Sequence, residues 1–191
     1  MKTLTVMAVT IGAAFLVWVG WGAYIIVTTE RPRYEVVQHL SDGVEIRQYE
    51  EQTWISANGD SDNSAFRVLA SYIFGDNKDQ APVAMTAPVI TDTRMSFILP
   101  KDVTMDVAPE PNGQPIAFSQ VPARKLATLT FSWTTSHSRV EEKTQRLLSV
   151  LGQKGIKVTG EPILMRYNDP ATPPFMRRNE VAIEVDKVPT S

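Results

Sequence analysis

The chain has 191 residues, room for one domain and an appendage, and its 19 basic and 21 acidic side chains nearly cancel. No basic patch stands out, which argues against nucleic acid as a partner. There is no cysteine, so disulfides, thiolate metal sites and cysteine nucleophiles are excluded.

Leu4 to Val27 form 24 consecutive positions without Asp, Glu, Lys, Arg or His. A helix of that length is about 36 Å long, enough to cross a bilayer. Trp18, Trp21 and Tyr24 lie in its C-terminal half, as in an interfacial aromatic belt. A cleaved signal peptide would carry a shorter apolar region and a small-x-small site, for which Gly20-Trp21-Gly22 is a weak candidate. Residues 1–30 therefore read as an uncleaved single-pass transmembrane anchor, and 31–191 as the domain it carries. Lys2 on one flank nearly balances Arg31 and Arg33 on the other. The short N-terminal tail tips the orientation towards a cytoplasmic N-terminus, with the domain outside the bacterial inner membrane.

Tyr34 to Val37 reads as a strand, and Ser41-Asp42-Gly43 as a turn. Val44 to Asn58 reads as one long strand with an irregularity at Glu50-Glu51. Asp62 or Asn63 caps a helix whose buried face is Ala65, Phe66, Leu69, Tyr72 and Ile73, with Gly75 as its stop. Met85–Thr91 and Met95–Leu99 are strands. The Pro-rich connection from Pro100 to Pro115 is expected to hold a short pairing segment near Met105. Ile116–Gln120 and Lys125–Trp133 are strands. Ser138 to Glu141 fits a capping box for a helix burying Val140, Thr144, Leu147, Leu148 and Leu151 and ending at Gly152. Ile163–Tyr167 and Val181–Val185 close the fold. The candidate caps and the strands that follow recur at a near-constant offset. This predicts an α+β fold of pseudo-twofold duplicated strand–helix–strand units, halves roughly 34–100 and 115–188. The units form a distorted antiparallel β-barrel or open sheet with two helices, preceded by the transmembrane helix.

No GxSxG, HExxH or phosphate-cradling glycine loop occurs, and the adjacent pair Ser136 and His137 is poorly placed for a triad. The chain is therefore read as a binding protein and not an enzyme, with no catalytic residues and no metal site.

Three segments carry a resemblance. They are Glu45-Ile46-Arg47 with Tyr49; Gly75-Asp76-Asn77 followed by Met85-Thr86-Ala87-Pro88-Val89; and Tyr167-Asn168-Asp169-Pro170-Ala171-Thr172-Pro173-Pro174-Phe175-Met176-Arg177-Arg178-Asn179-Glu180-Val181. In this order they resemble the SOUL haem-binding protein family, from about Tyr34 to Val185. The resemblance implies non-covalent binding of haem or another tetrapyrrole, for carriage, buffering or sensing. A porphyrin needs an apolar slot, cations for its propionates and, optionally, an axial ligand. The slot is expected between the domain's first helix and the sheet, lined by Phe66, Leu69, Tyr72, Ile73 and Met85. Arg67 and Arg177 are candidate cations, although Arg177 and Arg178 also read as braces for the proline-rich loop. Members that ligate through histidine carry it directly after E-I-R, where this chain has Gln48. His137, just before the second helix, is a candidate ligand near iron; His39 reads as an exposed turn residue. Ala171 replaces an aromatic frequent in the family. The fold also resembles bacterial effector-binding domains, so the alternative is a module for another small apolar ligand or a protein partner, without haem.

Overall fold

A computed structural model describes residues 2–186. Helix α1 spans Lys2–Thr28. Strands β1 (Tyr34–His39), β2 (Val44–Tyr49) and β3 (Gln52–Ala57) follow. Then come α2 (Asp62–Ile73), β4 (Val89–Thr91), β5 (Met95–Ile98), β6 (Ile116–Val121) and β7 (Arg124–Phe131). Helix α3 (His137–Gln153), β8 (Ile163–Arg166) and β9 (Asn179–Glu184) complete the domain. The strands form one antiparallel open sheet in the order β1-β2-β7-β9-β8-β4-β5-β3-β6.

The expected long strand is real as a path but divided as a pairing. β2 pairs with β7 through Val44↔Leu129 to Tyr49↔Arg124, and β3 pairs with β6 through Gln52↔Val121 to Ala57↔Ile116. The register is the same across the break at Glu50-Glu51. One long ribbon therefore bends at its middle and supplies strands near both ends of the sheet. Apart from β1, each half contributes strand–strand–helix–strand–strand, and the two units exchange their leading strands, β2 and β6. β2 of the first half sits on β7 of the second, and β6 of the second on β3 of the first.

Period-two alternation sorts the side chains onto two faces. Val44 and Ile46 of β2, Ala127 and Leu129 of β7, and Val181 and Ile183 of β9 pack under Leu147, Val150 and Leu151 of α3. Ile55, Ala57, Met95 and Phe97 pack under Leu69, Tyr72 and Ile73 of α2. Both helices cover the same face. On the other face Tyr49, Trp54, Ile90, Ile98, Leu126, Met165 and Tyr167 form a third cluster drawn from both halves. Segments without regular structure reach it: Ala87 packs into the cluster, and Arg31 of the linker after α1 lies 5.7 Å over the Tyr167 ring.

Several expected boundaries move. Met85 to Pro88 stays outside β4, since Pro88 has no N–H for the ladder. Residues near Met105 make turns, and the bridge in that connection is Asn77↔Pro111. The cap of α2 is Ser61: its hydroxyl accepts from Ser64 N–H at 3.3 Å, and Ser64 Oγ accepts from Ser61 N–H at 3.0 Å. α3 starts before Ser138, because Val140 N–H already reaches the Ser136 carbonyl at 3.0 Å. It runs through Gly152 to Gln153, and the positive φ that stops it belongs to Gly155.

Candidate functional site

On β2, Glu45, Arg47 and Tyr49 alternate onto the face away from the helices. β9 aims Glu180 at the same place. Glu180 is fully buried. It accepts from Arg47 Nη1 at 2.9 and 3.0 Å, Arg178 Nη2 at 2.6 Å, Tyr167 OH at 2.8 Å and Thr130 Oγ1 at 3.0 Å. Glu45 holds the outer edge of Arg47 at 2.7 Å. The Arg47 guanidinium lies 4.5 Å over the Tyr34 ring, and that of Arg178 4.4 Å over Tyr167. Burial pushes the Glu180 carboxyl up, but Arg47 and Arg178 outweigh it and hold the group below its ordinary value. Burial, reinforced by the Glu180 charge, raises Tyr167 well above its ordinary value and raises Tyr49 in the same direction. The glutamate is thus held as a carboxylate between two guanidiniums, with Arg47, Arg178, Tyr167 and Thr130 all donating to it.

The E-I-R-x-Y and R-R-N-E-V segments and Tyr167 therefore meet in one interlock. The remaining motif residues are also structural. Arg177 donates from Nε to the Thr172 carbonyl at 2.9 Å and from Nη2 to the Pro170 carbonyl at 2.7 Å, bracing the loop. Asn77, buried, spans Tyr72 O at 3.1 Å and Ala81 O at 2.7 Å behind α2. Thr86 Oγ1 donates to the Ile98 carbonyl.

The residues expected to line a slot beside α2 do not come together around an opening. Leu69, Tyr72 and Ile73 are core side chains at 0–2% exposure. The Tyr72 hydroxyl is held by Pro109 O at 2.8 Å. Phe66 is partly exposed, with its ring 5.4 Å from that of Phe97; Met85 and Arg67 are exposed. His137, the first residue of α3, is exposed, and His39 pairs with Glu45 at 3.4 Å.

An opening lies instead at the ribbon bend. A cleft of about 490 Å³ forms where the ribbon bends, between Glu50–Thr53 and Gln120 on one side and Ile98–Lys101 on another. The linker Glu30–Arg33 makes the third wall. It is pinned there by Ala87 N–H to the Glu30 carbonyl at 2.9 Å and by the bridge Glu30↔Thr86. Arg31, Arg33 and Lys101 bring cations; Glu30, Glu50 and Glu51 bring carboxylates. Lys101 reaches Glu50 at 2.8 Å and, by that hydrogen bond, lowers its carboxyl. Arg31 uses Nη2 on the Ile26 carbonyl at 3.0 Å, while its Nε is buried with no partner. A second hollow of about 370 Å³ shares Glu30 and Pro100 with the first. No residue expected for the site lines either hollow. Sequence reasoning weighed Arg31 and Arg33 only as topogenic charges. Their position before the first strand was the available sign that they could wall a site.

A tetrapyrrole fits this cleft on its carboxylate side, where Arg31, Arg33 and Lys101 stand. It does not fit as an iron ligand sphere, for the cleft is lined by neither histidine nor methionine.

The SOUL heme-binding protein model matches residues 29–184, most of the chain, so the chain belongs to that family. Among solved structures, the EcmrR C-terminal domain superposes with a TM-score of 0.56 at 14% identity, covering 81% of this chain and 99% of that one. A hydrolase from Listeria innocua gives 0.49 at 12% identity, over 75% and 91% of the two chains. SAV2435 bound to tetraphenylphosphonium gives 0.40 at 12%, over 81% and 94%. The EcmrR likeness shows the fold alone. No curated protein matches the chain.

Proposed function

We propose that the protein is a membrane-tethered binding protein, without enzymatic turnover. It takes a tetrapyrrole non-covalently in the cleft between the ribbon bend and the Glu30–Arg33 linker. The family supplies the ligand class. The observation that carries the site is the set of three cations, Arg31, Arg33 and Lys101, lining one cleft. A ligand carboxylate would accept charge-assisted bonds from them. Ile98, Leu99 and Pro100 offer an apolar wall for the macrocycle edge. With no iron ligand lining the cleft, recognition rests on the carboxylates and apolar packing, so haemin and metal-free protoporphyrin should bind alike. The tether is α1, which from Val9 to Thr28 is long and apolar enough to cross a membrane, with the domain outside the inner membrane.

The polar walls Gln52, Thr53, Thr86 and Gln120 favour a second reading of the same cleft, an effector-type site for a smaller carboxylate-bearing compound. Titration of haemin and of protoporphyrin IX into the full chain in lipid nanodiscs separates these. Saturable quenching by both, weakened about tenfold or more in Arg31→Ala, is expected from the loss of one charged hydrogen bond. Non-saturable partitioning, identical in wild type and variant, overturns tetrapyrrole binding here.

A further inference from the structure

Three prolines give the loop after β8 an unusual backbone. Pro170, Pro173 and Pro174 have no N–H to satisfy. The N–H groups of Ala171 and Thr172 both donate to Asp169 Oδ1, at 2.6 and 3.0 Å. Five successive carbonyls are also taken. Pro170 O and Thr172 O accept from Arg177, Ala171 O from Trp18 Nε1 at 2.6 Å and Pro173 O from Met176 N–H at 2.9 Å. Pro174 O accepts from Trp133 N–H at 2.9 Å and from Arg177 N–H at 3.2 Å. Irregular backbone survives at membrane depth when its polar groups are bonded within the protein, and these five carbonyls and the Ala171 and Thr172 N–H groups meet that condition.

The loop also lies along α1. Pro173 packs so close to Gly22 that a Cβ there would stand 2.9 Å from its Cδ. Phe175 stacks on Phe15 with centroids 6.4 Å apart. Phe175 is 44% exposed. Trp133, bonded to the loop through its backbone, is 54% exposed with a φ of 77° that bulky residues seldom adopt.

These contacts decide how α1 can sit in a bilayer. If the span ended at Thr28, the loop beside Phe15 to Gly22 would hang roughly 9–20 Å below the surface, taking Asp169 and Arg177 with it. Charged groups there are costly. If the surface lies at about Gly22, the stretch from Lys2 measures about 30 Å, the hydrocarbon thickness. Trp18, Trp21 and Tyr24 then occupy the interfacial layer, and Phe175 dips to the level of Phe15, about 10 Å in.

We propose that the Pro173–Met176 loop and Trp133 are a second membrane contact, seated in the headgroup–acyl boundary beside α1. The last turns of that helix stand outside the hydrocarbon against the domain. This rests on the reading of α1 as a membrane span.

The chain has no cysteine, so single labels can be placed without background. Spin labels at Phe175→Cys, Trp133→Cys and Leu16→Cys would be read in the full chain in phosphatidylethanolamine–phosphatidylglycerol nanodiscs. Collision rates with oxygen report acyl chains, and those with a nickel chelate report water. The expected result is oxygen-dominated collision at all three sites, with Phe175 at about the depth of Leu16. Chelate-dominated collision at 175 and 133, with Leu16 still in lipid, overturns the proposal and leaves the anchor standing. Chelate access at Leu16 itself removes the anchor reading and the proposal with it.

Discussion

Glu180 shows how a buried charge can be held without weakening the fold. Its carboxylate meets two guanidiniums, a phenol and a hydroxyl, so the cost of desolvation is met by partners on β2, on β7, just after β8 and at the loop end. Removing one member leaves the others uncompensated. Glu180→Gln should therefore lower unfolding free energy by about 3–5 kcal/mol, read by denaturant titration. The pH dependence follows from the depressed carboxyl. The folded group titrates below its ordinary 4.5, so its contribution is full above that value and is lost as pH falls through the folded value. The gap between wild type and Glu180→Gln should be flat between about pH 6 and 8 and narrow below about 4.5. A gap that closes at neutral pH instead would mean the carboxylate is not the charged partner assigned here. The pairing was half legible in the sequence. The i, i+2, i+4 spacing of Glu45, Arg47 and Tyr49 puts them on one face of a strand, but nothing local says that Glu180 lies opposite them.

At the scale of elements, the sequence signals that held were those of period and breaker. Both domain helices, most of their buried positions and most strands follow from apolar spacing, because burying one face determines which residues must be apolar; Phe66 is the exception on α2, with much of its ring exposed. Starts and stops shifted by a few residues because several polar residues compete for each cap. Ser61 and Ser64 cap one another across a turn, an arrangement hidden by the acidic candidate Asp62 beside them. The approach of the chain to α2 is tighter than the sequence suggests. A Cβ on Gly59 would stand 2.3 Å from Ser64 Oγ and 2.6 Å from Ala65 N. Ser64 Oγ can swing aside only by leaving the cap, and the backbone nitrogen cannot. Gly59→Ala should therefore cost about 1–3 kcal/mol, more than the roughly 1 kcal/mol expected for Ser61→Ala, which loses the cap alone. Thermal or denaturant unfolding of the two variants side by side tests this. A neutral Gly59→Ala would show that the turn relaxes freely. The slot beside α2 failed as an expectation for a related reason: residues on the apolar face of a helix look the same in sequence whether they line an opening or fill it. Leu69, Tyr72 and Ile73 fill it.

At the scale of the whole molecule, the duplication seen in the spacing is one of topology, and its consequence lies in the exchanged strands. The central cluster opposite the helices takes Tyr49, Trp54, Ile90 and Ile98 from one half and Leu126, Ile163, Met165 and Tyr167 from the other. β2 pairs with β7 of the second half on one edge and with β1 on the other, and β6 pairs only with β3 of the first half. The first half alone would open an edge of β2 and the second would leave β6 unpaired, too much apolar surface and open edge for so small a unit. Residues 31–114 and 115–191, made separately, should each lack cooperative unfolding by circular dichroism, and mixing them should restore it. The same ribbon explains where the cleft lies. At its bend Glu50–Glu51 and Pro122–Ala123 leave the ladder, and the linker from α1 closes the gap beside them. The proposed ligand site, the exchanged strands and the proposed tether then converge on the ribbon bend. If either half folds cooperatively by itself, the halves are independent domains, and the bend is a hinge between them instead of the seam that makes them one.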